Sequence, residues 1–301
     1  MGEVQLQPVT ETLPRDSRVD WGRVLSTVRR APILPVTILL TVALAAILAP
    51  IISPHNPAFV DLRLRTMPPF WEQGGDPAYP LGTDYLGRDM LSRLIWGARV
   101  SLIVGFLSIF FAGGIGTILG LLSGYFGGLV DTVIMRLCDI QMSIPPILLA
   151  LLLAAVLKPG LKTVIIVIAV VYWTAYARIS RGEVLSLRQR DFVALAKVGG
   201  CRSPRIIARH ILPNIVNTLI VLSTVQLGGV IIYEASLSFL GLGVQSPDTS
   251  WGMMLSEGRN YMTVGWWLVV LPGLAIMFTV LGANMLGDWM RDALDPRRRQ
   301  L

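Results

Sequence analysis

The 301-residue sequence is short of charge, of cysteine and of histidine. Only 15% of its residues are Asp, Glu, Lys or Arg, against about 25% in an ordinary soluble domain. A chain of this length would otherwise make roughly two soluble domains, and the shortage of charge argues against them. Its two cysteines are too few for a disulfide-built secreted scaffold. Cys138 falls in an apolar run and Cys201 in a polar loop, so no disulfide is assigned. The two histidines, His55 and His210, are far apart and no His-Glu-x-x-His occurs, so no metal site is assigned. No Gly-x-x-x-x-Gly-Lys-Ser/Thr loop is present, since Gly160-Leu161-Lys162-Thr163 lacks the spacing. A Gly-x-Ser-x-Gly elbow is missing too. The chain is therefore read as neither an ATPase nor an enzyme of covalent chemistry.

What the chain has in quantity is uninterrupted apolar sequence. A helix needs about 20 apolar residues to cross the hydrocarbon. Six windows lack Asp, Glu, Lys and Arg: Ile33–Ile52, Val100–Leu122, Ile140–Leu157, Thr163–Ala177, Ile211–Tyr233 and Trp266–Leu286. The third reaches full length if it starts near Thr132, and the fourth if it ends near Ile179. An outer-membrane barrel would alternate at period two instead. The predicted fold class is all-α and polytopic, with six transmembrane helices.

Lys and Arg orient the spans. The tail 1–32 holds five, segment 178–210 holds eight and 288–301 holds four. The alternate side holds five in 53–99, two in 158–162 and one in 234–265. By the positive-inside rule both termini are expected in the cytoplasm. The first span, 33–52, is expected to be retained, because its tail is too long and too polar for a cleaved signal peptide. Within 53–99 a helix is expected from Thr83 or Asp84 to Gly97 or beyond. Asp84/Arg88 and Asp89/Arg93 would pair along it at i,i+4.

Segment 178–210 carries most of the net charge. Asp191 can cap a short helix. Phe192, Leu195, Ala196 and Gly199 then recur on one predicted face, and Gly199-Gly200 ends it. Ser203 can cap a second helix with Pro204 in its first turn. An apolar face on so short a helix calls for a protein groove.

This loop resembles the signature of the inner-membrane permease subunits of ABC importers. That signature reads Glu-Ala-Ala, three residues, Gly, nine residues, Ile, one residue, Leu-Pro. Here Ala194-Leu195-Ala196, Gly200, His210 and Leu212-Pro213 fill it, with Ala194 in place of Glu and His210 in place of Ile. Arg209-His210-Ile211-Leu212-Pro213-Asn214 looks like the peptide and nickel branch. So do the runs 81–89, 234–243, Ser250-Trp251-Gly252, Gly287-Asp288 and 291–296. In their order these runs resemble the second permease of dipeptide or oligopeptide importers, with a nickel importer as the runner-up. The resemblance spans about residues 78–297.

The resemblance implies a heterodimer with a second homologous permease, two ATPase subunits, an extracytoplasmic solute-binding protein and the lipid bilayer. Nucleic acid is not among the expected partners. It implies that ATP and Mg are bound by the ATPase subunits and no cofactor by this chain. The implied organisation is a cytoplasmic tail 1–32, a first helix 33–52, an extracytoplasmic loop 53–99 and a five-helix core 100–288. The core carries coupling loop 180–213, and a cytoplasmic tail 289–301 follows.

The ATPase-coupling candidates are Asp191, Phe192, Ala194, Leu195, Ala196, Gly200, Arg202, Arg205, Leu212 and Pro213. The pathway candidates are Asp139, Pro145, Tyr172, Trp173, Gln226, Glu234 and Asn284. Arg136 is the expected structural ion partner of Asp139. Glu234 either meets a peptide amino terminus or fixes the 236–243 loop. Binding-protein contacts are expected from Thr83, Asp84, Arg88, Asp89 and Trp251. An ion-coupled transporter or channel is the rival reading. It needs ionisable residues along a path, and this chain offers essentially Asp139.

Overall fold

The computed structural model describes residues 32–294. The expectations for the N-terminal tail, and for Asp295-Pro296 and the basic end after it, lie outside the described residues. Helix α1 is Ile33–Ile52, twenty residues without a charge. Most of its large side chains are exposed, as a bilayer-facing helix requires. A loop with one 3-10 turn at Leu62–Leu64 leads on. Helix α2, Met90–Phe126, is 37 residues long. At 1.5 Å per residue it is about 55 Å long, well beyond the ~30 Å hydrocarbon. The helix expected within 53–99 is therefore the first part of α2 rather than a separate element. It starts at Met90 and not at Thr83, because Asp89, not Asp84, accepts the Ser92 amide that opens the ladder (2.9 Å).

Helices α3 (Gly128–Met142) and α4 (Pro146–Val156) replace the third predicted span, and they meet at 89°. The sequence gives the reason. Pro145 pushes Ile144 out of helical backbone. Pro146 has no N–H to donate and suits only a new first turn, where it stands. Helix α5 is Leu161–Leu187 and α6 is Asp191–Val198. Helix α7, Ser203–Phe239, runs 37 residues with a π turn at Ile207–Ile211. Pro213 follows that turn and cannot donate to a carbonyl one turn back, and Leu212 bonds five residues back to Ile207 instead. Helix α8 is Trp251–Gly258 and α9 is Trp267–Leu294. The described residues thus hold five helices long and apolar enough to span a membrane, six if α3–α4 counts as one.

Helices α2 and α5 form the central pair. A Cβ on Gly116 would stand 2.2 Å from the Trp173 carbonyl, and one on Gly120 would stand 2.5 Å from that of Ala177. Glycine at four-residue spacing thus lets the two backbones touch. Val104, Val167, Ile168, Val230 and Leu237 pack around this pair with Ala150 of α4. Nearer the basic end, Leu121, Val184, Val193, Ile206, Ile211 and Ile215 form a second cluster that ties α6 and the start of α7 to α2 and α5.

Candidate functional site

Three places hold the candidate residues: the α6–α7 element, a cavity beside the α3–α4 bend, and the loop that leads into α2.

Helix α6 is closed by backbone chemistry. Gly200 lies at φ +75°, where Gly carries no Cβ penalty. Its N–H donates to Lys197 O (3.0 Å) and the Cys201 N–H to Ala196 O (3.0 Å). These two bonds are a Schellman ending, which satisfies the last carbonyls. At the helix start the capping residue is Arg190, with Asp191 in the first turn and no side-chain cap. Arg202 likewise precedes α7 in place of Ser203. Each expected cap is thus one residue late, and the Asp191 carboxylate acts through the helix dipole alone.

The apolar residues of α6 divide between two faces. Val193 is fully buried and Ala196 packs beside it against Ile206 and Ile211. Phe192, Leu195 and Val198 point away, 39%, 70% and 87% exposed. Of the expected face, Phe192, Leu195 and Gly199 are exposed and Ala196 alone turns inward. Val193 is the anchor, and the free row is 192, 195 and 198. Ala194, Gly200, Arg202, Arg205 and Pro213 are exposed, and Leu212 is half-buried against the cluster. Lys197 lies over the Tyr125 ring at 5.5 Å.

Two ion pairs strap α3 to α5. Asp131 accepts two bonds from Arg181 (2.5 and 2.6 Å), and Ser123 also donates to it. Asp139 pairs with Arg178 at 2.5 Å, not with Arg136 as expected. Three residues along a helix let two side chains meet, but α5 brings a guanidinium against Asp139 from the facing helix. Arg136 is exposed and forms no ion pair with a described residue.

The bend opens a cavity of about 230 Å³, lined by Gln141, Met142, Ile144, Pro146, Leu149, Tyr172, Gln226 and Tyr233 among others. Gln141 is fixed at its rim. Its Oε1 accepts from Trp173 Nε1 (2.7 Å), and its Nε2 donates to Val170 O (2.7 Å) and Val171 O (3.1 Å). Tyr172 and Tyr233 meet edge to face at 5.5 Å. The lining is amide, phenol, the Thr174 hydroxyl, the Met142 thioether and hydrocarbon, without a charge. Of the pathway candidates, Tyr172 and Gln226 line the cavity, Trp173 positions Gln141, and Pro145 makes the bend. Asp139, Glu234 and Asn284 do not line it. Asn284 Oδ1 lies 2.6 Å from where a Cβ on Gly228 would be, so it packs α9 on α7. Glu234 is 1% exposed, accepting from Ser101 (3.0 Å) and Ser238 (2.8 Å). Through Ser238 it holds the turn after α7, in line with the loop-fixing alternative. Gln141 and Tyr233, which matter most here, had no charge or motif to mark them.

The loop end is built around four charges. Asp84 accepts from Arg88 Nε (2.6 Å) and from Arg93 Nη1. Glu257 of α8 accepts from both arginines (2.8 and 2.7 Å). The expected Asp89/Arg93 pair is replaced by this network, because Asp89 is occupied in capping α2. Burial pulls the Arg88 guanidinium down, but Asp84 and then Glu257 outweigh it and hold it above its ordinary value. Trp251 donates to Leu94 O (3.0 Å) and Trp267 to Thr83 O (3.1 Å). Thr83, Asp84, Arg88, Asp89 and Trp251 are all buried, none more than 6% exposed. They offer no surface to a soluble partner, and their contact role is corrected to that of a frame. The frame presents Phe59, Leu62, Phe70 and Trp71, each more than half exposed. Sequence reasoning missed Glu257 and this aromatic edge.

Cys138 is buried and Cys201 half-buried, and both are free thiols. No group of three or more His, Cys, Asp or Glu fit for a metal ion occurs among the described residues.

Residues 116–300 match the family described as binding-protein-dependent transport system inner membrane component. The dipeptide transport system permease protein DppC of Haemophilus influenzae is 43% identical over 271 residues, 90% of this chain and 92% of that one. The DppC of Escherichia coli K12 is 46% identical over 257 residues, 85% of each chain. The di/tripeptide permease DppC of Pseudomonas aeruginosa is 43% identical over 261 residues, 86% of each. Among solved structures, a chain of the inward-facing MetNI methionine ABC transporter superposes with a TM-score of 0.56 at 19% identity. It covers 68% of this chain and 98% of its own length, and the likeness is one of fold.

Proposed function

The chain belongs to the family of binding-protein-dependent transport system inner membrane components, and from that premise we propose that it is a permease subunit of an ATP-driven importer of dipeptides or oligopeptides. A second homologous permease completes the pathway. Two ATPase subunits bind ATP and Mg and hydrolyse the nucleotide, and a solute-binding protein delivers the peptide. The relatives named above, matched over 85% or more of their length, are dipeptide or di/tripeptide permeases, which supports the peptide assignment. We place both termini in the cytoplasm, a reading supported by the basic segment 178–210.

One observation carries the reading: the row Phe192, Leu195 and Val198, exposed on a helix whose opposite side is anchored by Val193. An apolar row of this size on a charged surface calls for a groove in a partner. Seated in an ATPase subunit, α6 moves with it. The Val193 cluster transmits the displacement to α2, α5 and α7. The α3–α4 bend opens or closes beside the Gln141 cavity. ATP and peptide then bias the same two-state element.

An uncharged cavity suits peptides. It accepts side chains of either sign, and the Gln226 amide and the phenols of Tyr172 and Tyr233 answer peptide N–H and C=O groups. The edge formed by Phe59, Leu62, Phe70 and Trp71 is the proposed seat of the binding protein.

The test is reconstitution with the second permease, the ATPase subunits and the binding protein in proteoliposomes. Dipeptides are expected to stimulate ATP hydrolysis and to accumulate inside. Leu195→Asp is expected to abolish both. Stimulation by nickel and not by any dipeptide would overturn the peptide assignment.

A further inference from the structure

A groove between α1 and α2 holds an unsatisfied charge. Two adjoining cavities share Ala43, Leu102 and Phe106: one of about 500 Å³ lies between α1 and α2, and one of about 480 Å³ continues between these helices and residues of α7 (Ile220, Leu227) and α9 (Leu286, Met290). Together they run on α1 from Ile47 to Val36. At 1.5 Å per residue that is roughly 16 Å, about half the ~30 Å hydrocarbon. Their wall is mostly hydrocarbon, with Ser223 and Thr224 as its neutral polar side chains, and Phe106 is 61% and Ile47 71% exposed. Both cavities fall on helices that qualify as membrane spans.

Arg99 lines the end nearer the 53–89 loop, level with Ala46 and Ile47. Those residues are five or six positions before the end of α1 at Ile52, about 8 Å into the apolar run. The Arg99 guanidinium turns toward the start of α2 and lies 5.4 Å from the Trp96 ring centroid. That is a snorkelling posture beside an interfacial tryptophan. Arg99 forms no ion pair with a described residue, whereas Arg88, Arg93, Arg178 and Arg181 each have a carboxylate. A half-buried cation at membrane depth without a counter-ion is costly.

We propose that this groove is a binding site for an anionic phospholipid, drawn from the leaflet on the side of the 53–89 loop. Its phosphate pairs with Arg99 and one acyl chain lies between α1 and α2 along Ala43 and Phe106. Guanidinium and phosphate make charge-assisted, fork-like hydrogen bonds, and the length of the groove fits one leaflet. The lipid supplies the counter-ion that the described residues do not offer Arg99, and its acyl chain fills the apolar space.

The test uses the full-length chain purified with whatever subunits accompany it, titrated with phosphatidylglycerol or phosphatidylcholine and read by native mass spectrometry. The wild type is expected to retain phosphatidylglycerol in preference to phosphatidylcholine. Arg99→Gln should lose about tenfold or more in that retention, the scale of one hydrogen bond to a charged group. Ala43→Phe, which fills the groove away from the charge, should lose it as well. Arg99→Lys should keep part of it. Three results would overturn the site: no preference in the wild type, unchanged retention in both Arg99→Gln and Ala43→Phe, or efficient disulfide formation, under an added oxidant, between Ala43→Cys and a cysteine introduced on a helix of another subunit. The last would mean that protein fills the groove.

Discussion

Replacing Glu257 with Ala tests whether the frame around Asp84 holds the loop rigid. Two guanidiniums and two carboxylates meet there, with side-chain exposures of 1% for Arg93, 3% for Asp84, 8% for Arg88 and 17% for Glu257. The group is neutral as it stands. Glu257→Ala leaves Arg88 and Arg93 sharing one carboxylate, with a surplus positive charge almost out of water. Removing one partner of a buried pair costs about 3–5 kcal/mol. Glu257 is the most solvated of the four, so the lower end, about 3 kcal/mol, applies. At 1.36 kcal/mol per decade this is about a hundredfold in the equilibrium for local opening. Backbone amides of residues 83–93 should then exchange about a hundredfold faster, while those of α5 stay unchanged. Glu257→Gln, which still accepts a hydrogen bond, should fall between. Tyr85→Phe, which removes only a 3.3 Å bond to Glu257, should change little. Leucine at both Arg93 and Glu257 should recover most of the protection, because a neutral apolar replacement avoids the stranded charge. Exchange in Glu257→Ala within threefold of wild type would refute the reasoning.

Leu195→Asp should leave expression and thermal stability unchanged, since Leu195 is 70% exposed. Losing the burial of one leucine, worth about 1.5–3 kcal/mol, should weaken capture of the ATPase subunit at least tenfold in a pull-down. Gly200→Val forces a β-branched residue to φ +75°, costing about 1–2 kcal/mol. Peptide-stimulated ATP hydrolysis should fall while membrane insertion persists, and wild-type transport would count against a rigid element. Gly120→Leu drives a side chain toward the Ala177 carbonyl, 2.5 Å from its Cβ position. Overpacking costs about 1–3 kcal/mol or more, so the melting temperature should drop or no assembled protein be recovered.

Most membrane spans are legible in the sequence because hydropathy is local: α1 ends at Ile52, where the apolar run gives way to Ser53-Pro54-His55-Asn56-Pro57. The glycine ending of α6 is equally local, since Gly199-Gly200 follows its last apolar residues. Pairing is another matter. Asp139 has a basic neighbour three residues away, yet its partner is 39 residues away on α5. Glu257 lies 164 residues from Arg93, and no periodicity reports such a contact. Two aspartates, Asp84 and Asp89, compete to cap α2, and the choice rests on where the loop packs. Burial inverted the reading of residues 83–89. A run rich in charge looks like surface, but here the charges neutralise one another inside. The Gln141 cavity was hidden because it arises from the angle at Pro145-Pro146, and prolines announce a break without its size.

The π turn at Ile207–Ile211 also sets a phase. Ile206, Ile211 and Ile215 are all buried, at steps of five and then four. A regular helix would have turned residue 210 inward in place of Ile211. The extra residue brings two isoleucines to the inner side and leaves His210 at the periphery. It works like a keyed joint in a drive shaft, fixing the angle at which the stub bearing α6 is mounted on the spanning part of α7. Deleting one residue between Ile207 and Ile211 would rotate that mounting by about 100°, the turn of one residue at 3.6 per revolution. Every helix would remain, and the exposed row would face the wrong way.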